Sequence, residues 1–165
     1  MKDIKYRTAD INDLTAIKGV SLNAYGQYKS LLSPENIIAW EANLSNDKTY
    51  LDLLNSGTCF VAINDETIVG TAFLIPHGNP FKWFEFNWSY IRLVGVLPDF
   101  EGRGIGKTLT EMCIALAKET GEETIALHTS EFQNAARHIY ESLGFKRHKE
   151  FELFEKKYWL YLLSI

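Results

Sequence analysis

The run "RLVGVLPDFEGRGIGKTLTEM", residues 92–112, joins an apolar stretch to an amphipathic one through three glycines at alternate positions, Gly102, Gly104 and Gly106. Each glycine costs conformational entropy on folding, so three at the mouth of a helix imply a use. A helix N-terminus leaves its first N–H groups unpaired, and the helix dipole adds about half a positive charge there. With no side chains in the way, an anion such as a phosphate reaches those amides. Arg103 and Lys107 add charge beside the same turn. The plainer alternative is a tight turn followed by a solvated basic pair. Spacing excludes two familiar phosphate motifs. "GRGIGKT" is too short for a Walker A loop, and G-x-G-x-G is not the dinucleotide-binding G-x-G-x-x-G.

These glycines need a strand before them and a helix after them, and the hydropathy pattern supplies both. "YIRLVGVL" reads as the strand, and the helix runs from about Arg103 to Thr120 with Ile105, Leu109, Met112, Cys113 and Leu116 as its apolar positions. Gly95 within that strand signals a bulge or a close backbone approach. Upstream, "IKYR" is a short strand. "TADINDLTAIKGVSLNAY" is a helix with Asp10 as N-cap and Ile11, Leu14, Ile17 and Val20 on one face. "SPENIIAWEANL" is a second helix, capped by Ser33 with Pro34 in its first turn. "TCFVAI" and "TIVGTAFLI" form a hairpin across "NDE". Downstream, "TIALHTS" is a strand, "FQNAARHIYESL" a helix stopped by Gly144, and the tail "FKRHKEFELFEKKYWLYLL" two antiparallel strands. The order is β-α-α-β-β-β-α-β-α-β-β, a mixed α/β fold with a mostly antiparallel central sheet flanked by helices.

The 165 residues suit one domain, 1–165, with a substantial core. Seventeen basic against twenty-one acidic residues give a net charge of −4, which disfavours nucleic acid as a partner. No apolar run has membrane-spanning length, and "MKDIKYRTADINDL" carries charges where a secretory leader needs an apolar core. Cys59 and Cys113 lie far apart in apolar segments and read as reduced core residues in a reducing, cytoplasmic compartment. No Cys/His cluster has metal-ligand spacing.

The glycine segment and one further motif together resemble the GCN5-related N-acetyltransferase superfamily. Its strand end V-x-P appears as "VLP", residues 96–98, and its Q/R-x-x-G-x-G/A loop as "EGRGIG", residues 101–106. Its downstream N-x-x-A-x-x-L-Y-x-x-x-G-F appears as "QNAARHIYESLGF", residues 133–145. The element order matches as well, so the resemblance covers nearly the whole chain. Two positions depart from the pattern: Glu101 stands at the Q/R position, and Gln133 stands at the Asn position with Asn134 one residue later.

The resemblance implies acetyl-CoA as acyl donor and direct transfer to an amine. The pyrophosphate would lie on Gly102, Arg103, Gly104, Ile105, Gly106 and Lys107, and the pantetheine arm along Val94, Gly95 and Val96. A backbone N–H near Val96 would polarise the thioester carbonyl. Gln133 or Asn134 would contact the pantetheine, although Gln133 also fits a capping box with Ser130. An attacking amine must lose a proton. His128, which ordinarily titrates near the working pH, and Glu85, set among aromatics, are the candidate bases. Tyr140 matches the family's tyrosine and is the candidate acid for the leaving thiolate.

The acceptor stays open between a small-molecule amine and a protein amine, and the acidic balance leans toward a cationic one. The aromatic segment 81–88 fits an acceptor pocket, a homodimer patch or core. Trp40 with Tyr25 or Tyr28 would complete the acceptor wall. The alternatives are a non-catalytic acyl-CoA-binding module and a phosphate or nucleotide binder with a chance glycine turn.

Overall fold

The computed structural model describes residues 3–165. Among them one seven-stranded sheet has the order β1-β2-β3-β4-β5-β7-β6. Its strands are β1 (Lys5–Thr8), β2 (Thr58–Asn64), β3 (Thr67–Ile75), β4 (Ser89–Val96), β5 (Thr124–Ser130), β6 (Lys146–Leu153) and β7 (Lys156–Ser164). Every neighbouring pair is antiparallel except β4 and β5. The helices are α1 (Leu14–Gly26), α2 (Pro34–Leu44), α3 (Asp47–Ser56), α4 (Ile105–Glu119) and α5 (Asn134–Ser142).

Alternation along the central strands sends side chains to two apolar layers. Val61, Phe73 and Ile75 pack with Ile17 and Val20 of α1 and Tyr50 and Leu53 of α3. Ala62, Ala72 and Leu74 pack with Ile105, Leu109 and Cys113 of α4. With both faces covered, β3 is buried from Ile68 to Ile75, which explains its unbroken apolar sequence. The β2–β3 turn places Asp65 and Glu66 at φ 47° and 69°, the twist that a two-residue hairpin loop requires. Cys59 and Cys113 are free and buried. No helix among the described residues is long and apolar enough to cross a membrane, and none of their His, Cys, Asp and Glu side chains form a group of three or more able to hold a metal ion.

The expected fold class holds, with one added element. α3 lies where the sequence reading placed no helix. It is capped by Asn46, whose Oδ1 accepts from the Lys48 N–H at 3.0 Å. Its buried residues are Tyr50 and Leu53, too few for a readable helical period. Ile11, expected on the α1 face, is 56% exposed, because Ile11–Asp13 forms a separate 3-10 turn capped by Asp10. On α4, Thr110 and Ala117 are buried, while Met112 and Leu116 are only half-buried.

Two glycines separate close packing from helix propensity. A Cβ on Gly57 would stand 2.2 Å from the Leu74 carbonyl oxygen, whereas one on Gly19, inside α1, meets nothing within 4 Å. Gly57→Ala should therefore cost about 1–3 kcal/mol. Gly19→Ala should add about 0.5–1 kcal/mol by favouring helix. Urea denaturation of the two variants checks both signs.

Candidate active site

The site begins where two strands separate. β4 and β5 pair in parallel only at Ser89↔Ile125 and Tyr90↔Ala126. The Ser89 hydroxyl ties them there by donating to the Thr124 carbonyl at 2.9 Å. Beyond Tyr90, β4 keeps β3 as its partner while β5 follows β7 along its full length.

A bulge accompanies the parting. Thr71↔Gly95 and Phe73↔Arg92 set two steps of β3 against three of β4, and Leu93 takes φ 51°. The carbonyl of Leu93 accepts from Thr71 Oγ1 at 3.0 Å, and that of Val94 from Tyr25 Oη at 3.0 Å. Gly95 lets α1 approach closely: a Cβ there would stand 3.2 Å from Ala24 Cβ. Both the bulge and the close approach read from Gly95 are thus present, the bulge one or two residues earlier. Leu97 N–H donates to Val69 O at 2.8 Å. Ladder alternation therefore turns the N–H and C=O of Val96 toward the side that β5 has left.

The glycine turn follows a short 3-10 turn at Pro98–Phe100. Gly102 and Gly104 take φ 72° and 79°, and no atom lies within 4 Å of where their Cβ atoms would be. Left-handed backbone cannot belong to the helix, so α4 starts at Ile105 rather than Arg103. Its first main-chain bond runs from Thr108 N–H to Gly104 O at 2.9 Å. The N–H groups of Ile105, Gly106 and Lys107 precede it, without intrahelical acceptors. Ile105 is buried, so it offers an anion its backbone alone. A Cβ on Gly106 would make only ordinary contacts at 3.6 and 3.7 Å. The Arg103 guanidinium lies over the Phe100 ring at 4.8 Å and donates to Asp99 O at 2.9 Å. Lys107 Nζ is 3.9 Å from Glu111. Glu101, the acid at the departing position, accepts from Gln27 Nε2 at 2.8 Å, which commits its carboxylate to the residue after α1.

A cavity opens beside the parted strands. Tyr25, Tyr28, Trp40, Phe81 and Trp83 are among its walls, and His128, Gln133 and Tyr140 reach it from β5 and α5. The 81–88 segment is thus divided in its roles. Phe84 and Trp88 join the core, Phe81 and Trp83 face the cavity, and Phe86 is exposed.

Tyr140 is buried, with its ring edge-on to Phe145. Burial, and after it Tyr25, Cys113 and Tyr28, push its phenol up, so it stays protonated as a donor. His128 packs among Trp83, Phe84, Phe151 and Tyr158. Its Nδ1 is buried without a hydrogen-bond partner. Burial first, then the charges of Arg92 and Lys82, pull the imidazole down to about 3. A neutral imidazole of this kind differs from a base poised near neutral pH. Glu85 is exposed and stands outside the cavity walls, because the buried anchors of its segment are Phe84 and Trp88.

Gln133 Oε1 accepts from Thr129 Oγ1, Ser130 N and Ser130 Oγ at 3.0, 2.9 and 2.8 Å. The anticipated capping box is not formed, because Ser130 ends β5 and α5 begins at Asn134 with Gln133 itself as N-cap, while the Gln133 side chain borders the cavity. Asn134 is exposed at the start of α5, and its Oδ1 accepts from Arg137. Sequence reasoning passed over Arg92, which lines the cavity from β4. The signal was one arginine inside the otherwise apolar "YIRLVGV".

A mostly antiparallel sheet whose single parallel pair opens over a glycine-led helix defines the acyl-CoA N-acyltransferase fold. Residues 26–145 match the acetyltransferase (GNAT) family, and the chain belongs to that family. It is 33% identical over 114 residues to human N-acetyltransferase 8B, covering 67% of this chain and 48% of that protein. It is 28% identical to N-alpha-acetyltransferase 30 of Schizosaccharomyces pombe over 54% of this chain and 58% of the relative. The chain thus spans about half the length of these curated relatives. Among solved structures it resembles the PaiA N-acetyltransferase of Thermoplasma acidophilum in complex with coenzyme A. The TM-score is 0.79 at 18% identity, covering 99% of both chains. The ribosomal-protein-S18-alanine N-acetyltransferase of Escherichia coli gives a TM-score of 0.74 at 18% identity, covering 99% of this chain and 94% of that one. At these identities the structural likeness establishes the fold.

A histidine neutral when folded and with an ordinary value near 6.5 when unfolded binds fewer protons in the native state below that pH. Its contribution to stability is lost as pH falls from about 6.5 toward 3. The His128 ring resonances should therefore stay constant between pH 5 and 8 in an NMR titration. A midpoint near 6.5 would contradict this environment.

Proposed function

We propose that the protein is an acetyl-CoA-dependent N-acetyltransferase that moves the acetyl group directly to a primary amine. The observation that carries the reading is the parting of β4 and β5 above the N-terminus of α4. It leaves an unpaired strand edge and unpaired helix amides along one continuous path.

The residues fit such a donor. The open faces of Gly102 and Gly104 admit a diphosphate to the amides of Ile105, Gly106 and Lys107, with Arg103 and Lys107 adding charge. The edge of Val94, Gly95 and Val96 suits an extended amide chain, which pairs there as a further strand would. The outward N–H of Val96 offers a hydrogen bond to a carbonyl oxygen as negative charge develops on it. Acetyl-CoA supplies the activated acyl group. Tyr140, held neutral by burial, donates its proton or a hydrogen bond to the departing thiolate. Gln133, its carbonyl oxygen already triply engaged, keeps its amide NH2 for the cavity. With His128 held neutral by burial and Glu85 outside the cavity walls, the acceptor attacks as its neutral amine, a form the aromatic walls favour by desolvation, and the proton its nitrogen sheds as the amide forms restores the Tyr140 phenol. The acceptor enters from the side of Tyr25, Tyr28 and Trp40 as a small-molecule amine or a protein amine, and the protein works in the cytoplasm.

Gly104→Asp places a Cβ and a negative charge on the left-handed residue at the phosphate approach. It should weaken coenzyme A binding at least about tenfold, roughly 1.4 kcal/mol, in a calorimetric titration. Unchanged affinity would remove the diphosphate from this turn. Tyr140→Phe should lower turnover about a hundredfold, the smaller end of what general acid catalysis contributes, with coenzyme A affinity intact. Thiol release from acetyl-CoA over an amine panel reads the first quantity, and equal turnover would take Tyr140 out of the reaction.

A further inference from the structure

The cavity beside the parted strands is lined by two cations, Arg92 and Lys82, and by no carboxylate. Several cations elsewhere in the chain are paired with carboxylates. Arg7 pairs with Asp13, Lys18 with Asp47, Lys48 with Asp52 and Arg147 with Glu141. Asp52, which borders a second cavity that Arg92 also lines, is paired with Lys48 instead. The Arg92 guanidinium is stacked 4.1 Å from the Phe81 ring centroid. Burial works against its charge, and the phenols of Tyr90, Tyr25 and Tyr50 offset only part of that. Lys82 lies over Phe81 and Trp83 at 5.2 and 5.5 Å, and Arg92 opposes its charge.

Stacking offsets part of the cost of enclosing a guanidinium and leaves the in-plane donors of half-buried Arg92 for a ligand in the cavity. An enclosed cation lacking a counter-ion is expensive. A planar fork of donors is best met by two oxygens of one anion. Phe81 lies against that fork, and Tyr25, Trp40 and Trp83 are among the other walls of the cavity, which suit an apolar body on the same ligand. Position along β4 limits its size. Arg92 stands on the same strand as Val96 and four residues before it, at most about 13 Å along the chain, with the bulge at Leu93 between them. The amine and the anion of the ligand therefore belong to one small molecule.

We propose that Arg92, with Lys82 at the cavity mouth, receives the carboxylate of the acceptor, and that the acceptor is an amino acid with an apolar or aromatic side chain. The proposal rests on the acetyl-transfer reading above and makes its acceptor side specific. It reverses the lean toward a cationic acceptor drawn from net charge, because the charge of the cavity is opposite to that of the whole chain.

The test uses matched compounds that differ by the carboxylate. Thiol release from acetyl-CoA is measured with phenylalanine and with phenethylamine. The melting temperature of the protein saturated with coenzyme A is measured with N-acetylphenylalanine and with N-acetylphenethylamine. The expected result is kcat/KM at least tenfold higher for phenylalanine, and a melting temperature raised by the N-acetyl acid alone. In Arg92→Gln the preference should fall to near unity with coenzyme A affinity unchanged. Should that variant not fold, Arg92→Lys keeps the charge without the fork and should retain only part of the preference. Equal or better use of phenethylamine, a preference for O-phosphoethanolamine, an undiminished preference in the variants, or no melting response to the N-acetyl acid would overturn the proposal. Failure of acetyl transfer itself reads differently: no thiol is released with any amine, while the N-acetyl acid still raises the melting temperature through Arg92.

Discussion

The site depends on one unpaired edge. β5 is hydrogen-bonded to β7 from Thr124 to Ser130, and β4 to β3 up to Val96. The two share a ladder only at their beginnings. Neither strand can follow the other without abandoning an antiparallel partner, and the Leu93 bulge turns β4 further away. Backbone groups buried without partners are costly. The fold meets that cost in part internally, by giving the Leu93 and Val94 carbonyls to Thr71 and Tyr25. What remains, at Val96 and the start of α4, is aligned along one path because a single short turn joins the two elements.

Enclosure then sorts the titratable groups. In the aromatic cavity the uncharged form of each group is favoured, so Tyr140 keeps its proton and His128 stays neutral. Arg92 is the exception, since a guanidinium does not deprotonate in proteins. It remains the strongest fixed charge on the β4 side of the cavity. Its positive charge, after burial, also helps to hold His128 neutral. The aromatic rings that desolvate His128 are supplied by the 81–88 segment and the β6–β7 hairpin, which places the chemistry of one strand under the control of distant chain.

Much of this was legible in local sequence. β3 and β5 have the bounds that "TIVGTAFLI" and "TIALHTS" announce, because alternation and β-branched residues are properties of the strand itself. Gly102, Gly104 and Gly144 occupy left-handed backbone, and their need for glycine follows from sterics within a residue or two. Ser33 accepts from Asn36 N at 3.3 Å as a cap three residues away. α3 escaped because its helix is made by a cap and two buried anchors rather than by a long apolar period.

Periodicity, glycine placement and the two spaced motifs thus determined every element but α3, their order and the glycine turn, since each is written in residues close together along the chain. Tertiary structure alone decided the protonation of His128, the exposure of Glu85, the engagement of Gln133 and the charge of the cavity. Those properties depend on what long-range packing brings within a few ångströms. His128 meets Trp83, Phe84 and Arg92 only after the sheet has formed, and desolvation and Coulomb energy vary steeply over such distances.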